Sequence, residues 1–113
     1  MFADLKVFQA ASALTRHAGI RQAVVARNMA NSDTPGYRAL DVAPFTMPRE
    51  AQAQGSWDFD VIERRGVAAS PNGNTVDLET EMVEAIDTQR QHERAIAIYK
   101  SSMSLLRASL GRR

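Results

Sequence analysis

Residues 77–111 read DLETEMVEAIDTQRQHERAIAIYKSSMSLLRASLG, and their spacing decides what kind of fold to expect. Leu78, Met82, Ala85, Gln89, His92, Ile96, Tyr99, Met103, Leu106 and Leu110 follow one another at alternating steps of four and three. A 3.5-residue repeat draws one narrow stripe along an α-helix, slimmer than the apolar face of an ordinary core helix. Only Gln89 and His92 interrupt it with polar groups. Asp77 is a good N-cap, Glu79 and Glu81 put negative charge where the helix dipole favours it, and Gly111 supplies a stop. At about 1.5 Å per residue the helix would be roughly 50 Å long. The stripe reads as a coiled-coil seam; an ordinary two-helix core face is the competing reading.

The other end of the chain carries a matching pattern. From residue 3 to about residue 32, Val7, Ala11, Leu14, Ala18, Val25 and Met29 recur at steps of four, three or seven, as on one side of a helix. Gly19 weakens its middle by roughly 1 kcal/mol relative to alanine, so the helix should need packing to persist. Residues 33–76 lose the helical period, and all four prolines (35, 44, 48 and 71) lie there. Within them Trp57-Asp58-Phe59-Asp60-Val61 alternates apolar and acidic residues like a half-buried strand, and Ser70-Pro71-Asn72-Gly73 is a strong turn signal. The expected fold is mainly α. Long N- and C-terminal helices pair as an antiparallel coiled coil, joined by a short irregular or β-containing middle. The segments are 1–33, 34–76 and 77–113, all within one assembly domain.

Charge supports the antiparallel arrangement. The first helix carries Lys6, Arg16, Arg21 and Arg27 against Asp4, whereas the last begins acidic and finishes basic. Folding back sets Arg21 and Arg27 beside Glu79, Glu81, Glu84 and Asp87. Exposed pairs of this kind add only about 0.2–1 kcal/mol each, so they set orientation more than stability. Two narrow seams with a polar middle bury little surface, and a chain of 113 residues is already marginal. The lone protomer is therefore expected to be loosely folded, with neighbours completing its seams.

Several function classes fall away. No stretch approaches the roughly 20 consecutive apolar residues that cross a bilayer, so direct membrane insertion is not expected. The first twenty residues make a poor cleavable signal peptide, because Asp4, Gln9 and Ser12 break their apolar run. The absence of cysteine removes disulfides, thiolate metal sites and cysteine nucleophiles. His17 and His92 lie in different helices without metal-ligand spacing, and a polar register-setting role suits His92 better. Ser101, Ser102 and Ser104 have no base nearby in sequence, and no phosphate-binding glycine loop is present. Neither an enzyme nor a cofactor or metal is expected. The net charge of +1 and the scatter of basic residues around helices argue against a nucleic-acid partner.

The remaining stretch is NMANSDTPGYRALDV at 28–42. Pro35 disfavours helix at Thr34, so the first helix must end at or before Asp33. Pro35-Gly36 suits the centre of a type II turn, with glycine taking the positive φ. Asn28 and Asn31 are mediocre helix formers whose amides can bond backbone or a packed neighbour, and Tyr37 offers an amphipathic ring beyond the turn. On composition alone this is a helix stop followed by a loop.

Asn28 through Tyr37 resembles the N-terminal signature of bacterial flagellar rod and hook proteins, A-N-N-I-A-N-x-x-T-P-G-Y. Val76-Asp77-Leu78-Glu79-Thr80-Glu81-Met82 is similar to their V-D-L-x-x-E-M, which opens the C-terminal helix. Arg27 stands where that family often has asparagine, and His92 where related axial proteins carry an aromatic. The resemblance spans about the first 42 and the last 40 residues. The short middle resembles the proximal rod members rather than those with a β-rich domain there. It implies a structural subunit of the basal-body rod that self-assembles helically through its terminal helices to transmit torque. It implies a turn motif of Asn28, Asn31, Thr34, Pro35, Gly36 and Tyr37, and export without a cleaved signal peptide through the flagellar type III apparatus. The partners it implies are copies of itself, the rod proteins FlgC and FlgF, and the adaptor FliE, in the periplasmic part of the flagellum. The competing class is a cytosolic helical-hairpin adaptor or export chaperone, whose seams would close within a stable dimer.

Overall fold

The computed structural model describes residues 2–46 and 59–111, and side chains from residue 5 onward. Helix α1 (Phe2–Ala30) and helix α2 (Leu78–Gly111) run antiparallel and pack against each other. The Phe8 and Tyr99 rings meet with centroids 4.8 Å apart near one end, and Asn28 bonds Glu81 near the other. Between the helices lie strand β1 (Leu40–Val42) and strand β2 (Val61–Glu63), an antiparallel pair with Leu40 opposite Glu63, Asp41 opposite Ile62 and Val42 opposite Val61. The result is a rod-shaped body of 67 × 26 × 18 Å.

Helix ends follow local chemistry. The Asn31 amide Nδ2 donates back to Arg27 O at 2.8 Å, and the Asn31 N–H is shared between Arg27 O and Asn28 O. The Ser32 N–H then reaches Met29 O, so the last turn tightens and α1 stops at Ala30, slightly before the expected end. At the start of α2, Asp77 caps as its position predicts. Its Oδ1 accepts the Glu79 N–H at 3.1 Å and its Oδ2 accepts the Thr80 hydroxyl at 3.1 Å.

The strand sits later than its alternation pattern predicts. Trp57 and Asp58 lie outside the described residues, and β2 begins at Val61, where the expected strand ended. Pairing decides this. Asp60 O accepts the Ala43 N–H and the Arg64 N–H donates to Ala39 O, so the ladder brackets β1, which is itself pinned to α1. A register tied to β1 outweighs local apolar–acidic alternation.

The core is thin and made of small residues. Ala11, Ala13, Ala18, Val24 and Val25 of α1 are buried with Ala39, Val42 and Ala95, whereas the largest fully buried side chains are Glu81, Asn28 and Thr88. The side of α2 that meets α1 runs through Glu81, Thr88, Gln91, Ala95 and Ser102. All five directly precede a member of the stripe: Met82, Gln89, His92, Ile96 and Met103. The stripe therefore flanks the protomer's own interface. Leu78, Met82, Gln89, Tyr99 and Leu110 are exposed, while Ala85, His92, Ile96, Met103 and Leu106 are half-buried. On α1, Ala11, Ala18 and Val25 are buried, Leu14 is half-buried, and Val7 and Met29 are exposed.

Candidate assembly site

The two terminal motifs converge on one buried amide. Asn28, with no solvent exposure, uses all four of its hydrogen-bonding positions. Nδ2 donates to Leu40 O at 2.8 Å and to Glu81 Oε1 at 3.2 Å. Oδ1 accepts the Tyr37 hydroxyl at 3.0 Å and the Leu40 N–H at 3.0 Å. One side chain thus ties the end of α1 to the turn, to β1 and to the first turns of α2. An asparagine near a helix end, mediocre for helix formation, is here the only residue type of its size that can donate twice and accept twice.

Glu81 is the other half of the junction and is also fully buried. Its Oε1 accepts from Arg64 Nη1 as well as from Asn28; Oε2 finds no partner among the described residues. Arg64 lies just past β2 with a side chain only 11% exposed, and its Nε stands 3.8 Å from Asp41 Oδ2. A buried carboxylate is costly without a countercharge, so Arg64 is what permits Glu81 to sit here. By contrast the Arg38–Glu63 bridge, more than half exposed on both sides, contributes little.

The Thr-Pro-Gly-Tyr turn is stapled to the segment before α2. The Tyr37 N–H reaches Thr34 O at 3.2 Å across Pro35-Gly36, and Gly36 takes φ 74° as a type II turn requires. Asn74 Nδ2 donates to both Asn31 O and Thr34 O, at 2.8 and 2.7 Å. Thr75 donates its N–H to Tyr37 O and accepts the Ala39 N–H on its hydroxyl. The Gly36 N–H reaches Asn72 O, and a Cβ added at Gly73 would lie 3.4 Å from Gly36 Cα. Gly36→Ala is expected to cost about 1–2 kcal/mol by forcing a side chain into the left-handed region. Thermal denaturation followed by circular dichroism should show a melting point several degrees lower, and an unchanged one would refute this account of the turn.

A second polar cluster sits midway along the helix pair. His17, nearly buried, bonds Ala43 O through Nε2 at 2.8 Å and Gln91 Nε2 through Nδ1 at 2.7 Å, while the Phe59 ring packs edge-on at 4.8 Å. Arg21 donates to Gln91 Oε1 and to Glu84 Oε2, each at 2.6 Å. This is the ion pair the charge pattern anticipated for Arg21; Arg27 is exposed. The cluster fixes which stretch of α1 lies against which stretch of α2. It joins no group of three or more potential metal ligands among the described residues.

The structure brings Asn28 and Tyr37 of the turn motif into contact, and keeps the Asn31 side chain bonded locally to Arg27 O and to the Thr34 hydroxyl. Thr34, Pro35 and Gly36 are exposed, and Tyr37 is half-buried. Of the seam residues, none belongs to this junction. Sequence reasoning missed Arg64, Asn74, Thr75, His17 and Gln91 as organising residues. Glu81 carried a usable signal: it heads a series at 81, 88, 95 and 102 that keeps the heptad step with small or polar side chains.

The sequence profile of the family described as "Flagella basal body rod protein" matches residues 9–38. The chain is 28% identical over 116 aligned positions to the flagellar basal body rod protein FlgB of Agrobacterium fabrum, covering 86% of this chain and 87% of that protein. It is 27% identical over 106 positions to the flagellar basal body rod protein FlgB of Salmonella typhimurium, covering 74% and 77%.

Proposed function

We propose that this chain is a FlgB-like structural subunit of the bacterial flagellar basal-body rod, which assembles through its two terminal helices. The similarity to two FlgB proteins over most of the chain supports the rod role. The observation that carries the assembly mechanism is the apolar surface the protomer leaves uncovered: Met82 is 59% exposed, Ile86 54%, Leu105 59% and Leu110 58%. A helix hairpin that finished its own folding would not keep large apolar residues along most of its length in water. The junction around Asn28 and Glu81 gives each subunit a defined shape, and the stripe on α2, together with the exposed Ile86 and Leu105 beside it, supplies the contact with neighbours.

Assembly with other basal-body components follows from the rod role. The finer reading is that the subunit sits in the proximal, periplasmic part of the rod beside FlgC, FlgF and the adaptor FliE. It travels there through the flagellar type III export apparatus. The small core supports this route, since a chain with few large buried side chains unfolds and refolds at modest cost. No chemistry is assigned to any side chain in this reading.

A tagged copy should co-purify with intact basal bodies and be secreted only when the flagellar export apparatus is present; its absence from basal bodies would defeat the proposal. Leu106→Asp probes the stripe. Leu106 is half-buried in the protomer, so the isolated variant should melt within about 1 kcal/mol of wild type, yet cells carrying it should be non-motile. Full motility would remove Leu106 from the assembly surface.

A further inference from the structure

The first turns of α2 and the outer side of α1 are both unpartnered, lie at the same height, and differ in shape in a complementary way. Leu78, Met82, Val83 and Ile86 are 49, 59, 58 and 54% exposed, forming a cluster of large apolar side chains facing away from α1. At 100° per residue, Gly19, Ala23, Ala26 and Ala30 share the side of α1 that faces away from α2, and all four are exposed. The Asn28–Glu81 and Arg21–Glu84 bonds set these two surfaces level with each other on opposite flanks of the hairpin.

Gly19 points to an approach from outside. Glycine within a helix costs stability relative to alanine, and a Cβ placed at Gly19 meets nothing within 4 Å. Nothing in the protomer requires the missing side chain. Charge then selects the occupant and its direction. Arg27 is exposed beside the small-residue side of α1, and Glu79 and Asp87 are exposed near the apolar cluster of α2. When a second copy lies alongside with the same polarity, the acidic start of one α2 falls beside the basic second half of the neighbour's α1. The register that holds the protomer together is repeated between protomers.

We infer that copies of this chain pack side by side with the same polarity, the Leu78, Met82, Val83 and Ile86 cluster of one copy seated on the Gly19, Ala23, Ala26 and Ala30 side of α1 of the next. This rests on the rod reading and specifies its lateral contact. The contact is heterologous: each copy offers one surface and receives on another, so it continues into rings or helices and does not close as a dimer.

The chain has no cysteine of its own, which makes cross-linking clean. The double variant Ala23→Cys/Ile86→Cys, both sites exposed, is treated with a short bis-maleimide at high protein concentration. The expected result is a ladder of trimers and higher multimers, while each single-cysteine variant stops at dimers formed no faster than random collision. Ile86→Cys alone dimerising as efficiently as the pair would mean that two α2 helices face each other, and would overturn the inference. So would a double variant that forms nothing beyond dimers. Adding Gly19→Leu should suppress the ladder without lowering the melting point of the isolated protein; an undiminished ladder counts against the seating. The same pair tested in purified basal bodies separates the two levels. Incorporation into the rod without a 23–86 cross-link sinks the lateral contact alone, whereas a ladder in solution with no incorporation sinks the rod reading alone.

Discussion

Asn28→Asp is expected to destabilise the isolated protein by on the order of 3 kcal/mol or more, because it replaces two buried donors with a buried anion. The change is isosteric, so no cavity forms and no packing is lost. What changes is the sign of two interactions. The oxygen that takes the place of Nδ2 would face Leu40 O and Glu81 Oε1, both acceptors, at the 2.8 and 3.2 Å now spanned by hydrogen bonds. The Tyr37 hydroxyl and the Leu40 N–H would still have an acceptor, which limits the damage to one side of the amide. Domains of this size have only about 5–15 kcal/mol to lose, so chemical denaturation should show a much lower midpoint. Motility should fail with it, because the end of α1, β1 and the start of α2 would no longer share a fixed point. A midpoint within experimental error of wild type would show that Asn28 is not the hub described above.

Arg64→Met should have a comparable effect by a different route, about 3–5 kcal/mol, since it strands a buried carboxylate. Glu81 is fully buried, and Arg64 supplies its countercharge. The methionine fills much of the arginine stem's volume, so the loss reports on charge. Two further variants separate charge from packing. Glu81→Gln in the Arg64→Met background should recover part of the stability by removing the uncompensated charge. Arg64→Met with Glu81→Leu should recover more, because replacing both partners of a buried pair by apolar groups is often neutral or better. Glu81→Leu alone completes a double-mutant cycle with wild type, Arg64→Met and the Arg64→Met/Glu81→Leu protein, and denaturation of these four measures the coupling directly. A coupling near zero would mean that Glu81 is not sustained by Arg64.

The helices were legible because their periods are long and regular. Both helices, their antiparallel sense and the Asp77 cap could be read from spacing and charge alone. Which side of α2 meets α1 could not. Glu81, Thr88, Ala95 and Ser102 keep the same heptad step as the apolar stripe, and ranking by hydrophobicity picks the stripe. The internal interface is chosen instead by close approach: α1 offers alanines, and a slender row on α2 lets two backbones come near. Glu81 reads from sequence as an acid placed for the helix dipole, and nothing local says that it is buried. Arg64 is one arginine in a stretch without period, so its role depends on a strand register that only pairing determines. The turn at Thr34–Tyr37 was legible as a turn from proline and glycine. Its tether to Asn74 and Thr75, about forty residues away, was not.

The chemistry of the junction bears on how a subunit of the proposed rod would carry load. Apolar surfaces glide past one another with little change in energy, since buried area is nearly constant during a small sideways displacement. Directional bonds weaken steeply once donor and acceptor leave alignment. The bonds that meet at Asn28, with the His17–Gln91–Arg21 cluster further along the body, act as two pins through a pair of otherwise slippery rods. Twisting one helix about the other must strain both pins together, so a hairpin with little greasy filling is nonetheless stiff in torsion.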